Sequence, residues 1–212
     1  MARKKEPERV GINRTKIMSS AQALFLQKGT EQTKMEDIAA QAGICKATLY
    51  TYYPNKTAVL SDIALEGMKY LQQILTEKTD PRDSVHDNFI HLCRAMTQFR
   101  EKFPVGFEML LQNIGVEEAQ LQADPALQET YDTGEQVNEQ LIRVFAGAFP
   151  GQNRQQMVAI LLQFWAEITG LILLAYNKER YIRKSCRQSR MEFLDDGFER
   201  LYQQLQAESV KS

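Results

Sequence analysis

Residues 33–56 read TKMEDIAAQAGICKATLYTYYPNK, and the fold of the chain's first part turns on how this stretch is read. Met35, Ile38, Ala39 and Ala42 fall at i, i+3, i+4 and i+7, so they share one face of a short helix. Thr33, with Glu36 three residues on, has the spacing of a capping box, in which a hydroxyl and a carboxylate answer each other's free backbone N–H groups. Gly43 ends the helix, because glycine turns to positive φ without a Cβ penalty, and Ile44 packs beneath the turn. A second short helix covers 46–53 and points Leu49 and Tyr53 inward. Lys46, Ala47, Tyr50 and Thr51 are left on its outer face. Pro54 stops it, and Asn55 is a good N-cap for the helix that follows.

Two short helices joined by a glycine turn have the geometry that lays the second in a DNA major groove. Thr33, Lys46, Ala47, Thr48, Tyr50, Thr51, Tyr52 and Lys56 are the candidate DNA-binding residues. Lys46 can meet a phosphate or a guanine edge, Thr48 and Thr51 can hydrogen-bond, and Ala47 allows close approach or meets a thymine methyl. Tyr50 and Tyr52 can donate to phosphates. Lys56 follows the cap Asn55, where its charge and the free N–H groups of the helix together favour a phosphate. The plain alternative is a helical hairpin with an ordinary solvated surface.

The run IAAQAGICKATLYTYYPNKTAVL over 38–60, with RTKIMSSAQALFLQKG over 14–29 before it, resembles the signature of the tetracycline-repressor (TetR) family of bacterial transcription regulators. The residues that carry the resemblance are Ala23 and Phe25 before Gly29, then Ile38-Ala39, Ala42-Gly43, Thr48-Leu49-Tyr50 and Asn55-Lys56. Cys45 departs from it, standing where such proteins usually place a serine or threonine cap. The resemblance implies a three-helix DNA-binding head, a homodimer formed by the last two helices as a four-helix bundle, and a repressor rather than an activator. It says little about the inducer.

Charge agrees with a DNA-binding head. The chain has 212 residues and a net charge of −1. Residues 1–56 hold ten Lys or Arg against five acids, whereas 57–212 hold 16 against 22. A basic head on an acidic body suits a DNA-binding module fused to a body that stays off DNA. Three widely spaced cysteines, Cys45, Cys93 and Cys186, make no disulfide framework and fit a reducing cytoplasm. No charged segment followed by an apolar run marks a secretory signal. The division expected is 1–56 as a helix-turn-helix domain with a basic arm over 1–11, and 57–212 as a helical ligand-binding and dimerisation domain.

The whole chain reads as all-α, with about nine helices. The first covers 13–27, with Ile17, Ala21, Leu24 and Phe25 on its apolar face, and its Arg14 and Thr15 are placed to touch the DNA backbone. A fourth helix over 55–77 starts at the DNA and is long enough to carry a ligand-driven shift to the head. Pro81 marks a boundary, with Asp83 or Ser84 as the next cap. Further helices cover 84–102, a short segment from Pro104, and 126–148. The helix over 154–178 is apolar on nearly every side; Gln163, Glu167 and Thr169 interrupt it, so it reads as a buried helix and not a membrane span. Ala159, Ala166 and Gly170 give it a stripe of small residues. With the helix over 189–206, it offers more apolar surface than one monomer's interior needs, which suggests a helical partner face, against the plain alternative that both helices are the core of a monomer.

An apolar effector pocket is expected from Phe89, Met96, Phe99, Phe107, Met109, Tyr131 and Trp165, against the plain alternative that these are core. His86, His91, Gln112, Asn113 and Glu167 are polar groups that could orient a small molecule. His86 and His91 are five residues apart, which points them away from each other on a helix, so a metal or haem site is not expected. No phosphate loop, paired-carboxylate motif or CxxC appears, and neither a cofactor nor enzymatic activity is expected. The reading is a cytoplasmic DNA-binding regulator, most simply a repressor released from a double-stranded operator by a small apolar or amphipathic ligand. The competing classes are a helical protein-interaction module and a ligand-binding protein without specific DNA binding.

Overall fold

The computed structural model describes residues 5–112 and 122–209. Among them are ten α-helices, one 3₁₀ turn and no strand, an all-α fold. Compactness divides the chain into two units, Met1–Lys69 with Arg100–Asp132, and Tyr70–Phe99 with Thr133–Ser212.

The first unit contains α1 (Lys5–Lys28), α2 (Met35–Ala42), α3 (Lys46–Tyr52), the beginning of α4 (Lys56–Lys78), α6 (Pro104–Gln112) and the first turns of α7 (Pro125–Phe145). Its core joins Ile17, Ala21, Leu24 and Phe25 of α1 to Met35, Ile38 and Ala39 of α2. Leu49 of α3, Val59 and Ile63 of α4, and Val105 of α6 close it. Each of these side chains other than Ala21 and Ala39 contributes about 1.5–3 kcal/mol on leaving water. The head's core thus draws on a residue far beyond 56.

Helix α1 starts at Lys5, eight residues before the expected start. Residues 5–11 are therefore helical and not an extended arm, while Arg3 and Lys4 lie outside the described residues. Pro7 is tolerated because it falls in the first turn, where no N–H is needed. Gly29 (φ 82°) stops α1, its N–H on Phe25 O at 2.9 Å.

In the second unit, the remainder of α4 packs with α5 (Val85–Lys102) up to Phe99, with most of α7, and with α8 (Arg154–Asn177), α9 (Glu179–Ser185) and α10 (Arg190–Ser209). Its helices α5, α8 and α10 begin on side-chain caps. The Ser84 hydroxyl accepts from Asp87 N at 3.0 Å, so Ser84 caps α5 and Asp83 does not. Asn153 and Gln156 form a reciprocal box at the start of α8, and Ser189 and Glu192 form another at the start of α10. Buried Asn88 holds the loop before α5 through both Asp80 N–H and Asp80 O.

Helix α9 leaves no mark in the hydropathy pattern, because a single buried residue, Ile182, ties it down and one apolar side chain makes no period. Ala159, Ala166 and Gly170 of the small-residue stripe are exposed on the protomer. Gly170 faces open space, and the close helix approach is at Gly197 of α10, where a Cβ would lie 2.5 Å from Leu171 Cδ2 of α8. Helix α8 is long and apolar enough to cross a membrane, yet only a third of its most apolar window is buried. Leu161, Phe164, Ile168 and Ile172 face the core of the unit, while Leu162 and Leu174 are 59% and 48% exposed.

Candidate nucleic-acid interface

The helix-turn-helix is built as a local stop and restart. Gly43 has φ 67°; its N–H reaches Ala40 O, and Ile44 N–H reaches Ala39 O at 3.0 Å, the paired bonds of a left-handed helix stop. Capping of α2 differs from the expected Thr33–Glu36 box. The cap is Lys34, whose N–H donates to the Asp37 carboxylate at 2.9 Å. Asp37 also takes the Lys28 ammonium at 2.5 Å, and these bonds hold its carboxyl below the usual range. Glu36 is instead drawn outward to Lys46.

Thr33 is 2% exposed, and its hydroxyl donates to Gly29 O at 2.8 Å. A side chain sealed in this way cannot reach a phosphate, so Thr33 leaves the set of DNA-contacting candidates. It serves the α1–α2 turn.

Helix α3 buries Leu49 completely and turns Lys46, Ala47, Tyr50 and Thr51 to solvent. Thr48 is half-buried. Cys45 occupies the cap position without a side-chain cap bond; its Sγ lies 3.0 Å from Thr48 Oγ1. That contact, the largest influence, and the nearby backbone N–H groups draw the thiol below its usual value. Lys46 pairs with Glu36, both side chains more than half exposed, and sits 5.8 Å from the Tyr50 ring centroid. An exposed pair of this kind is worth little, so an incoming phosphate can displace Glu36. The Thr51 hydroxyl donates back to Thr48 O at 2.7 Å and keeps its lone pairs outward.

Two candidates are partly engaged. The Tyr52 hydroxyl accepts from Asn13 Nδ2 at 3.1 Å, and Lys56 Nζ donates to Thr30 O at 2.5 Å. Lys56 opens α4, where Asn55 Oδ1 accepts from Ala58 N at 2.8 Å as the expected cap.

A carboxylate cluster beneath the face escaped the sequence reading. Asp62 of α4, 6% exposed, takes Arg14 of α1 in a two-pronged contact, with Nε at 2.7 Å. It also accepts from the hydroxyl of Tyr53, which ends α3 and is itself buried. The bond to Asp62 holds the Arg14 guanidinium above its ordinary value, and burial, then the same carboxylate, push the Tyr53 phenol up. Arg14 is thus tied to α4 and not presented to a DNA backbone. Asp62 lies three residues after Val59, on the buried stripe of α4. A carboxylate there demands partners, and that was the signal available.

The seven expected pocket residues divide between the units. Phe89, Met96, Phe99 and Trp165 belong to the second, and Phe107, Met109 and Tyr131 to the first. Phe89, Met96, Phe99 and Phe107 are fully packed; Phe89 meets Phe164 edge to face at 6.0 Å. Tyr131 is 53% exposed. Met109 lines a cavity of about 330 Å³ with Phe25, Leu26, Leu60 and Val105. His86 Nε2 pairs with Glu199 at 3.0 Å, and Glu167 lines a surface groove along α8 and α10. His91 Nδ1 is buried with no hydrogen-bond partner among the described residues. Asn113 lies outside them.

Residues 17–63 match the model of bacterial regulatory proteins of the tetR family, a span that runs from buried Ile17 of α1 to buried Ile63 of α4. This part of the chain is similar to tetR-family regulators. Its relatives include the uncharacterized HTH-type transcriptional regulator YhgD of Bacillus subtilis, 28% identical over 49% of this chain and 55% of YhgD. The HTH-type transcriptional repressor KstR2 of Mycolicibacterium smegmatis is 26% identical over 42% and 46%. The chain spans about half the length of these curated relatives. Among solved structures, a tetR-family transcriptional regulator from Streptomyces coelicolor superposes with TM-score 0.63 at 14% identity, over 94% of this chain and 82% of that one. The ketosteroid transcriptional regulator KstR2 of Mycobacterium tuberculosis does so with TM-score 0.59 at 16% identity, over 91% and 92%. At these identities, the likeness to the tetR-family structures speaks for the fold across most of the chain.

Proposed function

We propose that this chain is a tetR-family, sequence-specific DNA-binding transcription regulator, acting in the cytoplasm as a homodimeric repressor. The observation that carries the reading is the outer face of α3. Leu49 is sealed inside, while Lys46, Ala47, Tyr50 and Thr51 stand together in solvent within the span of the family match. Lys46 and Tyr50 would contact phosphates, with Ala47, Thr48 and Thr51 against base edges. Tyr52 and Lys56 would anchor the backbone at the helix ends. Residues 1–56 are the reading head in this view, and the body holds the effector and the partner.

The partner face would be α8 with α10. Exposed Leu162 and Leu174, and a groove of about 620 Å³ lined by Gly170, Leu171, Phe193 and Leu201, support it. A twofold pairing lets two short recognition helices read two half-sites. The effector would be a small apolar or amphipathic molecule whose binding favours a spacing of the heads different from the one DNA favours, so each weakens the other.

The test is a mobility shift on the DNA immediately upstream of the gene, with non-specific competitor, at two salt concentrations. A specific, salt-sensitive shift supports the reading and supplies the assay for finding ligands by release. Binding to a partner protein with no salt-sensitive DNA affinity would favour the helical interaction module instead.

A further inference from the structure

We propose that the basic face of α9 is a second, sequence-blind contact for the phosphates of double-stranded DNA. Residues 178–190 carry six cations, Lys178, Arg180, Arg183, Lys184, Arg187 and Arg190, against one acid, Glu179. The remainder of 57–212 holds ten basic and 21 acidic side chains. A segment of +5 within surroundings of −11 is a local reversal of field, and a reversal of that size draws anions to one place.

The segment is held in position. Ile182 is 3% exposed and anchors one side of α9. Arg180, Arg183 and Lys184 follow at i, i+3 and i+4, so they lie on a common face away from that anchor. Glu179 engages Arg183 at 3.0 Å and Arg190 at 3.1 Å, and Arg190 also lies 4.0 Å over the Tyr176 ring. Those two cations are occupied. Lys178, Arg180, Lys184 and Arg187 are exposed and have no ion-pair partner among the described residues.

The chemistry favours a repeating phosphate. Guanidinium forks match phosphate oxygens two at a time, and Tyr181, 66% exposed beside them, adds a hydroxyl donor. Duplex DNA presents one negative charge about every 1.7 Å of its axis, so several neighbouring cations can be neutralised at once. The choice of DNA as the polyanion rests on the proposed regulatory role; the existence of the anion site does not.

The test uses the full chain and a random-sequence duplex, followed by fluorescence anisotropy across a salt series. The variant Arg180→Gln/Lys184→Gln/Arg187→Gln should bind the duplex several-fold more weakly. Its log–log salt slope should be shallower by about 0.9 for each phosphate that is no longer neutralised. Arg180→Lys/Arg187→Lys keeps the charges and loses the forks, so it should keep the wild-type salt slope and bind more tightly than the triple variant. Arg143→Gln, an exposed charge on α7, should change neither. A triple variant that behaves like Arg143→Gln overturns the proposal. So does capture of wild type, but not the triple variant, by vesicles of phosphatidylglycerol in phosphatidylcholine with duplex affinity unchanged; the face is then a lipid contact. Loss of the specific shift on upstream DNA alone would sink the regulator reading and leave the random-duplex result standing.

Discussion

Lys46 and Glu36 are an exposed pair poised for exchange, whereas Asp62 and Tyr53 are buried and hold the half-buried Arg14. The first lies on the face proposed for recognition, and the second ties α1, α3 and α4 together behind it. Tyr50→Phe and Lys56→Ala should each weaken binding to every DNA sequence tried while leaving the ranking of sites unchanged, because both are assigned to phosphate. A competition series on upstream and scrambled duplexes reads this directly; a changed ranking for Lys56→Ala would reject its assignment. Tyr53→Phe removes one donor from a buried carboxylate and should cost about 1–3 kcal/mol, seen as a lower urea midpoint with unchanged slope. Asp62→Ala should cost a similar amount, kept moderate because Arg14 is 41% exposed and regains water.

Among the elements, the helix ends carry the information. Gly43 adopts a left-handed φ that a side chain resists, so Gly43→Ala should cost about 1–2 kcal/mol. Cys45 stands at a cap without capping. Cys45→Ser should stabilise the head by about 0.5–1 kcal/mol, the usual worth of a hydroxyl there; a fall in urea midpoint would mean that the Sγ–Thr48 contact outweighs the cap. At the α8–α10 crossing, two effects oppose each other. Gly197→Ala gains about 1 kcal/mol of helix propensity and displaces only the end of the Leu171 side chain. It should therefore sit within about 1 kcal/mol of wild type, while Gly197→Val overpacks the crossing and should lose about 1–3 kcal/mol.

At the scale of the whole molecule, α8 is the element on which the proposed assembly turns. A helix this apolar with two thirds of its most apolar window outside the core of its own protomer leaves a surface that water disfavours. Leu162→Asp/Leu174→Glu places charges on that surface without touching the core. The variant should stay helical by circular dichroism, sediment as a monomer, and lose specific DNA affinity by about tenfold or more, since two half-sites are no longer read together. A folded dimer with full affinity would place the partner face elsewhere.

How far the sequence alone reached follows from the range of the forces involved. Periodicity, glycine stops and proline breaks act over a few residues, so Met35-Ile38-Ala39, Gly43, Leu49 and Asn55 could be assigned to the places they occupy, and the all-α class with them. The motif around α3 was legible for the same reason: its chemistry is contiguous in the chain. Caps were less secure, because Thr33 and Lys34 compete for one position, and burial against α1 settled it in favour of Lys34. The start of α1 and the existence of α9 were not legible, since neither has an apolar period of its own. Tertiary structure alone brought Arg14 to Asp62, 48 residues away, and Leu171 to Gly197. It also packed Phe89 and Met96 into core and left the α9 cations Lys178, Arg180, Lys184 and Arg187 facing solvent. Such pairings depend on which helices come to lie together, and that is settled by the summed burial of many side chains, not by any local run of residues.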